Sequence, residues 1–255
     1  MSNYFLVAPV DTSPFHTQTL SDLASTYLTS QKTWLSSLPY PLSLFISAGE
    51  SQETWQIHEN LLLACLRTGD NDTAFQCVEA LTKRFGLRND RVMALHGLYQ
   101  EAIAKDDREL LAVLKMYESL LAEDNTRFSV WKRKAAVLRS LGRVGEAAVT
   151  LTGLVEVSPT DAEAWAELAD IYLAQSLFEQ AVYCLEEVLL LAPNAWNIHA
   201  KLGEVIYLSS GNMEGEANQL KALSESMRRF CRSIELCDDY LRGYYGLKLV
   251  RILSN

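Results

Sequence analysis

The sequence predicts an all-α fold, a right-handed α-solenoid of stacked helix pairs, and three observations in its second half carry that prediction. Trp131 and Trp165 open two segments of matching pattern. Pro159 and Pro193, which close the same two segments, are separated by the same interval as the tryptophans. Within each segment apolar or small residues recur at helical offsets of 0, 3, 4 and 7, which gathers them on one face.

A 34-residue period is that of the tetratricopeptide repeat, a helix-turn-helix unit that cannot bury its apolar face alone and so stacks on copies of itself. Taken in chain order, the first 50 residues depart from it. Pro9, Pro14, Pro39 and Pro41 are four of the six prolines and divide this segment into an extended lead, a helix from about Gln18 to Ser36 and a second extended piece. The helix carries Leu20, Leu23, Ala24, Tyr27 and Leu28 and reads as a cap on the first repeat; the stretch Pro39 to Ile46 is a candidate partner contact. Residues 51–255 read as the repeat array.

Its first unit places Leu61, Leu62 and Cys65 on one helix and Ala74, Val78 and Leu81 on the next. The stretch from Arg91 to Asn125 reads as a degenerate copy whose second helix runs through Val113, Tyr117 and Leu120, with Asp124-Asn125 replacing the closing proline. The next unit has Trp131, Lys134, Ala135 and Leu138, then Ala147, Leu151 and Leu154, and only Lys134 breaks the apolar pattern. The following one has Trp165, Leu168, Ala169 and Tyr172, then Ala181, Leu185 and Val188 before Pro193 stops the helix. Small Ala169 stands where the partner helix must come close.

After Pro193 the pattern resumes at His199, Leu202, Gly203 and Ile206, but Ser226, Phe230 and Ser233 arrive eleven residues late. Insertions in repeat proteins map to loops, so the extra residues, near 209–220, predict a surface loop. A final helix from about Tyr240 to Leu253 opens one more unit.

Composition limits the function classes. A formal charge of −9 argues against nucleic-acid binding, which needs a basic face to displace counterions. No run approaches the roughly 20 apolar residues of a membrane span, and the N-terminus lacks a basic start followed by an apolar run, so the chain is expected to be soluble and on the cytosolic side. Five cysteines without a CxxC pair imply reduced, packed thiols. The four scattered histidines offer no metal-ligand spacing, and no Gly-rich phosphate loop or nucleophile elbow occurs, so no catalytic residue, cofactor or metal is expected.

Two surfaces are candidates for partner binding. Residues flanking the apolar stripe of the first helices line the concave groove of a tetratricopeptide array. In the Trp131 unit they include Lys132, Arg133 and Arg139, a basic strip; in the Trp165 unit they include Glu163, Glu167 and Asp170, an acidic one. Neighbouring strips of opposite sign suit a polar peptide or helix bearing both charges. Reversing Lys132 and Arg133 is then expected to spare folding while weakening a partner. The second surface is the last helix, with Leu241, Tyr244, Tyr245, Leu249 and Ile252 among residues apolar almost all round, where solenoids usually finish with a polar face.

The run from Trp131-Lys-Arg-Lys-Ala-Ala through Glu163-Ala-Trp-Ala-Glu-Leu-Ala-Asp-Ile-Tyr172, then Ala181-Val-Tyr-Cys-Leu-Glu-Glu187 and the late Tyr244-Tyr-Gly-Leu247, resembles subunit 2 of the ER membrane protein complex. The resemblance covers roughly residues 90 to 250. It implies a non-catalytic, peripheral scaffold on the cytosolic side of the endoplasmic reticulum membrane. Such a scaffold holds the cytosolic parts of membrane-spanning subunits, docks a soluble partner subunit, and so serves insertion of tail-anchored and multipass proteins. Membrane association would come through partners only. Two alternatives stay open: a free cochaperone or adaptor binding the peptide tails of chaperones, and an enzyme on a helical scaffold. The acidic second strip and the missing asparagine speak against a carboxylate clamp for chaperone tails, and no motif indicates a polar catalytic pocket.

Overall fold

A computed structural model describes residues 52–253 of the 255-residue chain, and the side chains of 55–251. The cap helix expected over 18–36, the Pro39 to Ile46 stretch and the rest of the segment 1–50 lie outside the described residues. All secondary structure among the described residues is helical. In order, the helices are α1 (Gln52–Thr68), α2 (Asn71–Phe85), α3 (Asp90–Ile103), α4 (Asp107–Glu123), α5 (Phe128–Ser140), α6 (Val144–Val157), α7 (Ala162–Ala174), α8 (Phe178–Leu191), α9 (Trp196–Ser210), α10 (Glu216–Leu236) and α11 (Leu241–Leu253). The chain divides into two compact units, one ending at Met116 and one beginning at Tyr117, so the division falls inside α4.

In the first unit α1 and α2 form an antiparallel pair with α3 against α2. Its core is Leu62, Cys65, Ala74, Cys77, Val78, Leu81 and Val92, with Trp55, Leu61, Leu95 and Tyr99 packed around it. The helix starts follow from short polar side chains satisfying orphan amides: Asp70 accepts from Thr73 N at 3.1 Å, and Asn89 accepts from Arg91 N and Val92 N. Gly69 and Gly86 take positive φ at the helix ends.

The second unit repeats one local design twice. After α5, Arg143 N donates to Leu138 O at 2.9 Å; after α7, one repeat further on, Leu177 N donates to Tyr172 O at 2.9 Å. Both turns need a left-handed residue, supplied by Gly142 (φ +72°) and by Ser176 (φ +59°). The second helices also end alike, with Ser158 N on Leu154 O and Ala192 N on Val188 O, each at 2.8 Å, just before the prolines that forbid continuation. Ala135, Leu138, Ala147, Leu151, Leu154, Leu168, Ala169, Ala181, Leu185 and Val188 are all buried, as the pattern requires. Lys134, the departure from the apolar stripe, keeps its ammonium 3.5 Å from Glu118 of α4 while its stem packs half-buried.

The insertion after α9 corrects one expectation. Only the turn Gly211 to Gly215 is irregular, and most of the added residues lengthen α10 to 21 residues instead of forming a loop. The reason is local. Gly215, at φ +88°, ends the turn, Glu216 places a negative charge at the helix start, and Ala222, Ser226, Phe230 and Ser233 then bury one continuous face. Ser226 Oγ donates to Gly203 O at 2.6 Å, and the Phe230 ring lies against Gly203 and Gly246, tying α9, α10 and α11 into one cluster.

Candidate functional site

The ring at the start of each first helix explains the regular spacing of the tryptophans. The indole N–H of Trp131 donates to Asn125 O at 3.0 Å, and that of Trp165 donates to Pro159 O at 2.9 Å. His199 occupies the next equivalent place, its Nε2 3.0 Å from Pro193 O. A ring nitrogen thus clasps the carbonyl six residues upstream in three successive units, locking each first helix to the end of the preceding second helix. Burial of His199 lowers its pKa, the neutral ring bonds Pro193 through Nε2–H, and Nδ1 is left without a partner. The repeat pattern places His199 at the tryptophan's position of its unit, but it carries no signal for the ring-to-carbonyl bond itself.

The two charged strips meet one another. Lys132 Nζ lies 2.6 Å from Glu163 and 2.9 Å from Asp161, the residue that also caps α7 by accepting from Ala164 N. Burial lowers the Lys132 pKa, but its hydrogen bonds to Glu163 and Asp161 outweigh this and raise it. Asp170 pairs with Lys201 of the next first helix, and Arg242 of α11 pairs with Glu204 of α9 at 2.6 Å. In the first unit Arg91 of α3 pairs with Glu59 of α1. Lys132 to Glu163 and Asp170 to Lys201 share the same sequence separation, one repeat less one step along a helix face, which is visible in the sequence once the repeat phase is fixed.

This geometry revises how the strips can act. Lys132, Glu163 and Asp170 direct their charge at neighbouring repeats, so reversing Lys132 would set it against two carboxylates and cost stability at the α5–α7 junction instead of sparing the fold. Arg133 is half-buried and Arg139 is exposed. Glu167 is the outlier: one carboxylate oxygen is buried without a hydrogen-bond partner, and burial followed by repulsion from Glu163 raises its pKa against the pull of Arg139, Lys132 and Arg133.

On α11 the apolar residues separate into two faces. Gly243, Gly246 and Val250 turn inward, while Leu241 is 81% exposed, Tyr245 64% and Tyr244 47%. Leu249 is half-buried, and the side chain of Ile252 lies outside the described residues. Buried thiols behave as packing groups, with burial pushing Cys77 up to about 12 and Cys184 up to about 11. Among the described residues no group of histidines, cysteines and carboxylates is placed to hold a metal ion, and no helix is long and apolar enough to cross a membrane.

Comparison with known proteins agrees with this architecture. Residues 94–215 match the EMC2 TPR-like repeat domain. The TPR repeat protein oca3 of Schizosaccharomyces pombe is 34% identical over 195 residues, 76% of this chain and 65% of that protein. ER membrane protein complex subunit 2 of Xenopus tropicalis is 32% identical over 205 residues, 80% of this chain and 65% of that one. The Saccharomyces cerevisiae protein of the same name is 28% identical over 158 residues, 61% of this chain and 49% of that one. This chain therefore spans about 65% of the length of the first two relatives. A thermophilic TPR protein of Thermus thermophilus superposes with a TM-score of 0.52 at 16% identity, covering 78% of this chain and 99% of that one, which speaks for the fold alone. The fold is an all-α tetratricopeptide solenoid, and the family this chain is similar to across these comparisons is that of ER membrane protein complex subunit 2.

Proposed function

We propose that this chain is a non-catalytic scaffold on the cytosolic side of the endoplasmic reticulum membrane. In this reading it organises membrane-spanning subunits that insert tail-anchored and multipass proteins, and it reaches the membrane through those partners. Its relatives are named as subunits of the ER membrane protein complex, which supports a role inside an assembly. The observation that carries the reading is the outer face of α11, where Leu241, Tyr244 and Tyr245 stand uncovered. Two tyrosines and a leucine together form the amphipathic, low-entropy contact surface enriched at protein interfaces. The first-helix face is the second contact surface, offering exposed Arg139 and, on Glu167, a carboxylate oxygen without a hydrogen-bond partner. Lys132 is already held by Asp161 and Glu163, which disfavours the cochaperone alternative, since a carboxylate clamp needs that lysine free.

The test is Leu241→Asp combined with Tyr245→Asp. Both side chains are exposed in the free chain, so helix content and melting temperature should stay near wild type while recovery of membrane partners from detergent-solubilised membranes falls at least tenfold. Undiminished recovery by the folded variant would remove α11 from the interface.

A further inference from the structure

The opposite side of the Trp165 repeat holds a cleft that the scaffold contacts on α11 and the first helices do not use. It has a volume of about 570 Å³ and lies between α6 and α8 over α7, and it shares no residue with the ion-paired first-helix face. Val155 and Leu168 supply its apolar lining, and its aromatic wall is Trp165 edge-on to Tyr183, ring centres 6.0 Å apart and planes at 80°. The wall is fixed in advance, because the Trp165 N–H is committed to Pro159 O. Glu156 and Glu179 also line the cleft; both are exposed and neither forms an ion pair among the described residues.

The charge around this cleft is one-sided. Between Arg143 and His199 the sequence has nine aspartates and glutamates and no lysine, arginine or histidine, so this stretch alone equals the net charge of the whole chain, −9. On the first-helix side, Lys132 and Lys201 from neighbouring repeats neutralise Asp161, Glu163 and Asp170. Among the described residues no such cation reaches Glu156 or Glu179. On the two helices that flank the cleft, Val149 of α6 and Leu190 of α8 are 73% and 74% exposed.

We propose that this cleft seats a protein segment that inserts one bulky apolar side chain beside a lysine or arginine. The volume suits one or two large side chains and falls within the range of natural binding pockets, roughly 300–1,000 Å³. Apolar lining favours the inserted group by removing it from water. The adjacent cation then lies between Glu156 and Glu179 and over the faces of Trp165 and Tyr183, where carboxylate and aromatic quadrupole attract it together. An acidic or purely apolar segment gains less, since it leaves two carboxylates uncompensated at the contact.

The experiment is selection of random heptapeptides displayed on phage against the full chain, followed by affinity measurement of the enriched peptides on wild type and on Glu156→Lys/Glu179→Lys. The expected result is a consensus pairing an aromatic or large aliphatic residue with a nearby lysine or arginine, bound at least tenfold more weakly by the double variant and more weakly as salt rises. Should the double lysine variant unfold, Glu156→Gln/Glu179→Gln replaces it, with at least a fivefold loss expected. Absence of any enriched peptide, a consensus without a basic residue, or affinities unchanged by the folded variants would each overturn the proposal.

Discussion

Glu167 and Ser176 carry predictions of their own, and both follow from a mismatch between side chain and setting. Glu167 has a folded pKa raised by burial, so above that raised value the folded state must hold a carboxylate that the unfolded chain solvates better. The stability cost is therefore complete above the raised value, shrinks as pH falls below it, and is gone once pH drops beneath the ordinary carboxylate range. Glu167→Gln should melt higher than wild type at pH 7.5 and no higher at pH 4; equal melting temperatures at both values would contradict the assignment. Ser176 stands one full repeat after Gly142 and adopts the same left-handed turn with a side chain that resists it. Ser176→Gly relieves a strain of about 1 kcal/mol against a smaller entropic loss, which predicts a rise in melting temperature of roughly 2 °C. A fall in calorimetry would mean that the serine side chain helps to hold the turn.

What the sequence discloses at this scale is uneven. Trp131, Trp165 and their prolines declare the repeat, because large and rigid residues seldom recur at a fixed period by chance. His199 does the same work silently, since one ring nitrogen on a carbonyl can be provided by more than one residue type. Ion pairing between Lys132 and Asp161 is likewise hidden until the first helices are brought side by side, for opposite strips read along a chain look like an open groove when they are a closed contact.

Helices are legible in position and misjudged in one length. Apolar offsets locate α5 to α9 because packing faces recur with the repeat period, whereas the extension of α10 carries glycine and asparagine at its start, residues that resemble a loop until Gly215 is recognised as the stop that precedes a helix. The same helix supplies a prediction on the docking of α11. A Cβ on Gly246 would collide with the Phe230 ring, so Gly246→Ala forces the two helices apart. Overpacking of this kind costs about 1–3 kcal/mol. Hydrogen exchange should then accelerate throughout α11, and Phe230→Leu in the same chain should recover part of the loss by removing the ring. Unchanged protection of α11 in the single variant would place Phe230 elsewhere.

For the molecule as a whole, the sequence discloses an acidic helical repeat protein and no more. Repeat proteins share their core pattern whatever they bind, so the likeness to one family rests on particular tracts such as Cys184-Leu-Glu-Glu187 and on relatives, not on the periodicity. What the fold adds is a division of labour among surfaces: a first-helix face largely neutralised by ion pairs between repeats, an acidic and aromatic cleft on the other side of α7, and an apolar face left open on α11.

Quantitative mass spectrometry of what accompanies the tagged chain from gently detergent-solubilised endoplasmic reticulum membranes, run beside the cytosolic fraction, tests most directly whether the chain is a scaffold of membrane-spanning subunits. The scaffold account predicts membrane-spanning proteins at near one-to-one stoichiometry with the chain in the detergent fraction. Recovery from cytosol alone, free or with chaperones only, would contradict it.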